Sequence, residues 1–168
     1  NRSFVADRLG VEPTFSTGLN DGQSTIIGPW TIHAIAAAHN EVDRDAVGHC
    51  RYLGYVATVE TAAGKRTVYH AGDTLWHDGL VEQLAPFEID IAILPINGNL
   101  PPRRVSGNLW GQEAATLARE IGAKLVVPCH FNLFAFNTQT PIAFEEACRE
   151  LDQPYQTLRL GERVIREV

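Results

Sequence analysis

Three apolar stretches of this sequence are each followed by a side chain of a kind that binds metal ions. Residues 30–38 precede His39, residues 124–129 precede His130, and the segment 68–74 (VYHAGDT) presents Asp73 after a glycine turn. If the stretches are strands of one sheet, their ends lie along one edge of that sheet. Imidazole and carboxylate groups together are a common donor set for zinc and manganese. The pattern therefore predicts a metal site with His39, Asp73 and His130 as ligands.

Length and composition favour one soluble, acidic domain. A chain of 168 residues with 45% hydrophobic content can bury a sizeable core, so we expect a single domain over residues 1–168. A net charge of -6 opposes binding to nucleic acid or to an anionic membrane. The three cysteines are far apart and form no CxxC pair, which favours a reducing, cytoplasmic setting over a disulfide framework.

The pattern of apolar residues changes between the two halves of the chain. In the first half, a polar turn at 20–22 separates two short strand candidates, and residues 52–60 and 67–70 are typical of a hairpin with a loose loop. In the second half, strands and helices alternate. Helices are predicted within residues 1–10, 80–84, 108–121 and 140–151, and further strands over 89–96, 125–129 and 155–160. The predicted class is α/β with a mixed sheet.

Each of the candidate ligands also has a simpler explanation. A single histidine at a strand end is more often a hydrogen-bonded structural residue, and Asp73 alone could be a turn-forming residue. The metal hypothesis rests on His39, Asp73 and His130 occupying the same kind of position. His70, three residues before Asp73, could orient a ligand or transfer a proton in catalysis. It could equally pack beneath the site.

The remaining histidines and a nearby cysteine have structural interpretations. Along an extended strand His33 would lie about 20 Å from His39, too far to share a site with it. His49 and His77 are predicted to be solvent-exposed loop residues. Cys129 is predicted to be a small packing residue rather than a nucleophile, because no activating cation or helix N-terminus stands beside it.

A loop over residues 94–99 and a pair of arginines form a candidate substrate-binding region. Asn97 lies at the end of a predicted strand, and Arg103 and Arg104 follow shortly after it. Guanidinium groups can bind a phosphate or a carboxylate through two hydrogen bonds. Adjacent arginines are more often a solvated surface pair, which is the alternative.

Several of these segments resemble the later motifs of the metallo-β-lactamase superfamily. The likeness rests on His39, YHAGDT at 69–74, LPING at 94–98 and VPCH at 127–130, and it is closest to the branch that contains L-ascorbate-6-phosphate lactonase. It implies an αββα sandwich in which His39 and His130 each serve one metal ion and Asp73 bridges both. It also implies a zinc or manganese hydrolase that cleaves a small anionic lactone or ester with a metal-bound hydroxide.

One family motif is missing. The sequence contains no HxHxDH segment, which supplies most ligands in that family, and no methionine. We therefore expect the C-terminal portion of a longer hydrolase, incomplete at its N-terminal side and with one core face exposed or covered in a homo-oligomer. Three ligands divided between two ions would leave the isolated chain weakly active or inactive. The alternative is a non-catalytic scaffold or dimerisation domain, which would bind no metal tightly.

Overall fold

The computed structural model describes residues 2–105 and 107–164. Its strands are β1 (Ser24–Ile27), β2 (Trp30–Ala36), β3 (Leu53–Thr61), β4 (Gly64–His70), β5 (Ile91–Pro95) and β6 (Val126–Cys129). They form one six-stranded sheet in which the spatial order follows the chain order. Strands β1 to β4 pair antiparallel, whereas β5 runs parallel to β4 and β6 parallel to β5. The mixed sheet predicted from the sequence is confirmed.

The helices of the described residues are α1 (Arg2–Leu9), α2 (Leu80–Leu84), α3 (Gly111–Glu120) and α4 (Ile142–Glu150), with a 3-10 turn at Pro101–Arg103. The sequence around α3 determines both of its ends. The Glu113 carboxylate accepts a hydrogen bond from the Trp110 backbone N–H at the start. At the end, Gly122 adopts a φ of 65°, and the N–H groups of Gly122 and Ala123 donate to Arg119 and Ala118. These two bonds form a Schellman motif.

The core lies between one face of the sheet and the helices. Tyr69, Leu94 and Phe144 are fully buried there, and α3 packs against α4. The other face of the sheet carries half-buried apolar side chains, among them Ile32, Val59, Val68, Ile91 and Ile93. One face of the sheet is thus closed by helices, and the other retains apolar surface that is only partly covered. No helix among the described residues has the length and apolar character needed to cross a membrane.

Three sequence-based expectations were wrong. The β3–β4 hairpin has a tight two-residue loop, because Thr61 pairs with Gly64. Residues 11–20 form no strand; their end is held instead by the Asn20 side chain, whose Oδ1 accepts from the backbone of Cys50. Residues 155–160 make only an isolated bridge to β6, because beyond it the Thr157 hydroxyl donates to Glu145 of α4. The prediction of a single domain over residues 1–168 stays a prediction.

Candidate metal centre

The structure brings His39, Asp73 and His130 together at one edge of the sheet. The three residues follow β2, β4 and β6, respectively. The Oδ2 atom of Asp73 lies 3.8 Å from Nε2 of His39 and 3.7 Å from Nε2 of His130. The two imidazoles therefore approach the same carboxylate oxygen. The carboxylate side chain is 46% exposed, so the cluster is accessible to a small molecule.

These separations suit metal ions better than direct hydrogen bonds. Both exceed the range of an N–H···O hydrogen bond. Two donors that are each about 2.1 Å from one ion lie about 3.0–4.2 Å apart, depending on the angle between them. An ion between Asp73 and either imidazole fits that range, and the carboxylate oxygen would then be shared by two ions. In addition, Nδ1 of His130 is buried and has no hydrogen-bond partner among the described residues.

The donor set is nevertheless small. Among residues 2–105 and 107–164, no group of three or more His, Cys, Asp or Glu side chains is arranged to hold a metal ion. In this geometry each of two ions would have two donors, one imidazole and the shared Asp73 oxygen. The residues present fit divalent metal ions in kind and spacing, and further donors would be needed to complete each coordination shell.

Two unusual backbone conformations present the ligands. Gly72 has a φ of 65°, and a Cβ atom there would lie 3.0 Å from the Leu53 carbonyl oxygen. A glycine is therefore required for the turn that exposes Asp73. His130 has a φ of 57°, which is uncommon for a residue with a side chain and is associated with functional sites.

Hydrogen bonds between two segments position His39 against Asp73. The Thr74 hydroxyl accepts from the backbone N–H of Ala38 at 2.9 Å and donates to the Leu75 carbonyl at 2.8 Å. The Leu75 N–H donates in turn to the Ala38 carbonyl. Farther along, Nε2 of His77 lies 3.1 Å from the Ala36 carbonyl oxygen. The segment that precedes His39 is thus hydrogen-bonded to the segment that follows Asp73.

Removing the Thr74 hydroxyl tests this connection. Thr74 is fully buried, so a Thr74→Val substitution would leave the Ala38 N–H without its partner and lower the free energy of unfolding by about 1–3 kcal/mol. Urea denaturation measures the change. Thr74→Ser retains the hydroxyl and removes one methyl group, so it should cost about 1 kcal/mol or less. An equal loss in both variants would contradict a role for the hydroxyl.

The other predicted site residues have different environments. His70 is exposed, and its Nδ1 accepts from the Gly72 N–H at 3.0 Å, so its ring supports the turn before Asp73. His77, predicted to be solvent-exposed, is half-buried with a carbonyl oxygen near each ring nitrogen; this expectation was wrong. His49 is exposed as predicted. His33 packs edge-on against Phe87, with ring centroids 5.0 Å apart.

The candidate substrate-binding residues already have internal partners, with one exception. Asn97 is fully buried, and its side chain bonds to those of Asn108 and Asn137. Arg103 donates to the Asn97 carbonyl at 2.6 Å and to residues 137 and 138. Arg104 is exposed. Substrate binding by these residues stays a prediction, and for Asn97 and Arg103 it would require existing hydrogen bonds to break.

Sequence reasoning assigned no role to three neighbours of the site. Thr74 and His77 make the hydrogen bonds described above. Tyr52 packs edge-on against His39 at a centroid distance of 4.9 Å. The position of Thr74 directly after Asp73 was a usable signal, since a hydroxyl at a turn commonly bonds to nearby backbone groups. Tyr52 and His77 gave no such signal, because their contacts depend on the pairing of distant segments.

Cys129 lies next to this centre, and the surroundings of its thiol oppose ionisation. Burial, reinforced by the negative charge of Asp73, raises the pKa of Cys129 to about 12. The thiol therefore stays protonated at neutral pH, which agrees with the predicted packing role and opposes a nucleophilic one.

The pKa gives a pH-dependent prediction for Cys129. Only the thiolate reacts with iodoacetamide, so alkylation of the folded protein should be very slow at pH 8 and accelerate about tenfold per pH unit up to pH 10. Peptide mass spectrometry would follow the rate at Cys129, and urea-unfolded protein would provide the fast reference. Alkylation of the folded protein at the unfolded rate at pH 8 would contradict the environment described.

Comparison with known proteins identifies the family of this chain. The sequence profile of the β-lactamase superfamily domain matches residues 1–131, which include β1 to β6 and all three candidate ligands. The chain belongs to the metallo-β-lactamase superfamily. Its mixed α/β fold is of the type found in that superfamily, as expected from the sequence motifs.

The relatives of this superfamily member include metal-dependent hydrolases. It is 34% identical over 149 residues to one from Methanosphaerula palustris, covering 87% of this chain and 64% of that protein. It is 28% identical over 148 residues to one from Myxococcus xanthus, covering 85% of this chain and 50% of that protein. The chain thus spans less than two thirds of the length of these relatives.

Solved structures show the same fold. A metallo hydrolase from Ignicoccus hospitalis superimposes with a TM-score of 0.73 at 20% identity, over 100% of this chain and 67% of the other. An isothiocyanate hydrolase from Delia radicum gut bacteria superimposes with a TM-score of 0.70 at 19% identity, over 95% and 62% of the two chains. At this identity the likeness concerns the fold alone, because one fold supports many reactions.

Proposed function

We propose that the protein is a metal-dependent hydrolase acting on a lactone or ester that carries an anionic group. The observation that carries the proposal is the placement of two imidazoles, 3.7 and 3.8 Å away, around one oxygen of Asp73. The relatives described as metal-dependent hydrolases support the reaction class. The lactone or ester class follows from the motif resemblance to the lactonase branch.

The roles of the residues follow from their positions. His39 and His130 would each hold one divalent ion, zinc or manganese, and Asp73 would hold both. Such ions lower the pKa of water and polarise a carbonyl or phosphoryl oxygen. Asp73, with half of its carboxylate surface exposed, would orient the attacking water. His70 would exchange a proton through Nε2, because its Nδ1 is engaged by the Gly72 N–H.

Recognition of the anionic group falls to Arg104 first. This residue is exposed on a left-handed turn after the 3-10 segment, whereas Asn97 and Arg103 are engaged in hydrogen bonds. Three free cysteines accord with a reducing, cytoplasmic location. A second copy of the chain could cover the half-buried apolar face of the sheet.

Metal content and turnover test the proposal together. The protein would be freed of metal with a chelator, reloaded with zinc or manganese, and assayed on a lactone and an ester, each with and without a phosphate group. We expect turnover only after reloading, with higher kcat/KM for the phosphorylated compounds and loss of turnover in Asp73→Asn. The rate should be low, because three ligands divided between two ions leave each ion under-coordinated. Absence of both tight metal binding and turnover would favour the scaffold alternative and overturn the proposal.

A further inference from the structure

A cluster of exposed apolar side chains lies directly beside His130. The segment 131–136, termed here the aromatic loop, exposes Leu133 by 65%, Phe134 by 47% and Phe136 by 63%. The Phe134 ring lies 6.4 Å from the His130 ring and 6.0 Å from the Phe136 ring, measured between centroids. The loop has no charged residue. An exposed apolar cluster of this kind commonly marks a binding surface.

The aromatic loop is held at both ends by specific hydrogen bonds. Near its start, the backbone N–H of Asn132 donates to the Thr138 hydroxyl. At its end, the two guanidinium nitrogens of Arg103 donate to the Asn137 side chain and to the Thr138 carbonyl at 3.2 and 2.9 Å. Arg103 also donates to the carbonyl oxygen of Asn97, which follows strand β5. These hydrogen bonds anchor the backbone on either side of Phe134 and Phe136.

The position of the aromatic loop indicates what would cover it. Phe134 is the aromatic neighbour of a candidate metal ligand, so a molecule reacting at Asp73 and His130 would extend over the Phe134 and Phe136 rings. Covering these rings removes apolar surface from water and favours an apolar group at this point. The two rings are inclined by 31°, and both are accessible to an alkyl chain or a flat ring.

We propose that the aromatic loop binds an apolar acyl or aryl portion of the substrate, with Phe134 and Phe136 as specificity-determining residues. Arg103 is then a positioning residue that holds the loop, and the anionic group of the substrate would be recognised elsewhere. This inference rests on the proposed hydrolase function and extends it, because it gives the substrate an apolar group of several carbon atoms beside the reacting carbonyl.

The acyl-chain preference of the metal-loaded protein tests the inference. On p-nitrophenyl acetate and p-nitrophenyl hexanoate, the unmodified protein should have at least about tenfold higher kcat/KM for hexanoate. Phe134→Ala and Phe136→Ala should each reduce this ratio severalfold, because they remove the apolar surface that the longer acyl chain would contact. Phe15→Ala is the matched control, since Phe15 is 72% exposed but lies outside the loop. An unchanged hexanoate-to-acetate ratio in both loop variants would overturn the inference.

Arg103 variants separate positioning from general stability. Arg103→Met removes the guanidinium hydrogen bonds to residues 137 and 138, which follow the loop, and should lower the hexanoate-to-acetate ratio. Arg103→Lys should restore part of it. A purely structural role would reduce both kcat/KM values equally and leave the ratio unchanged, which would contradict positioning of the loop.

A binding measurement keeps this inference distinct from the hydrolase proposal. Hexanoate and acetate would be titrated into the protein, and backbone NMR shifts followed at residues 131–136. Hexanoate should bind more tightly than acetate, with shifts in the loop that disappear in Phe134→Ala. If neither ester is hydrolysed but hexanoate binds the loop, the function fails and the binding site stands. If the phenylalanine variants alter only self-association in sedimentation, the loop is an interface between copies and the inference is wrong.

Discussion

An Asp73→Asn variant is expected to bind zinc or manganese at least about 100-fold more weakly than the unmodified protein. Loss of a group that only supports a metal ligand commonly lowers metal affinity about 10- to 100-fold. Asp73 would itself be a ligand, and its Oδ2 atom lies near both imidazoles, so its loss should cost at least as much. Asparagine preserves the size of the side chain but removes the negative charge and one oxygen. Competition with a chromophoric chelator measures the affinity, and hydrolytic turnover should fall with it.

Asp78→Asn is the matched control for this prediction. It removes the same charge from an exposed carboxylate five positions along the same loop, and its affinity for metal should stay within about threefold of the unmodified protein because exposed charges are screened by salt. Equal weakening by the two variants would mean that Asp73 acts only through overall charge. Circular dichroism would establish that both variants are folded.

Phe144→Ala is expected to lower the free energy of unfolding by about 3–5 kcal/mol, as for other buried phenylalanines. Phe144 is fully buried, and its ring meets Tyr155 edge-on at a centroid distance of 5.8 Å. It lies where α4 crosses α3: a Cβ added to Gly111 would be 2.7 Å from the Phe144 backbone nitrogen. This close approach limits how far the helices can move to fill the resulting cavity.

Urea denaturation of Phe144→Ala and Phe15→Ala tests the packing account. Phe15 is 72% exposed, so its replacement should change the free energy of unfolding by no more than about 0.5 kcal/mol. A loss below about 1 kcal/mol in Phe144→Ala would show that the α3–α4 contact contributes little to stability.

The parts of the fold that could be predicted are those governed by local pattern. The helix predicted over residues 108–121 and the hairpin predicted over residues 52–60 and 67–70 both form, because each depends on a few consecutive residues. Strands β2, β4 and β6 run in the same direction in the sheet, so their C-terminal ends lie at one edge. The convergence of His39, Asp73 and His130 at that edge could therefore also be anticipated.

The parts that escaped prediction depend on distant segments. The hydrogen bonds from Arg103 to residues 137 and 138 form between two loops that are far apart in the sequence. A local sequence pattern does not predict such a contact. His77 was expected in solvent for the same reason, since its partner Ala36 belongs to another strand. Residues 155–160 have a strand-like composition, but the Thr157 side chain bonds to α4 instead of extending the sheet.

Membership of the superfamily narrows the chemistry without selecting the substrate. The metallo hydrolase and isothiocyanate hydrolase structures share this fold at 20 and 19% identity, and one fold supports many reactions. In this chain the aromatic loop lies beside His130, and Arg104 is exposed after the 3-10 turn. Their chemistry, one apolar and one cationic, is the basis for a substrate with both kinds of group.

Anomalous diffraction from crystals of the protein soaked with zinc or manganese is the most direct test of the central claim. Difference maps calculated at each metal edge should show peaks about 2.0–2.2 Å from Oδ2 of Asp73, with Nε2 of His39 or His130 at a similar distance from each peak. Peaks that contact none of these three side chains, or no peak after soaking at millimolar metal, would contradict the account.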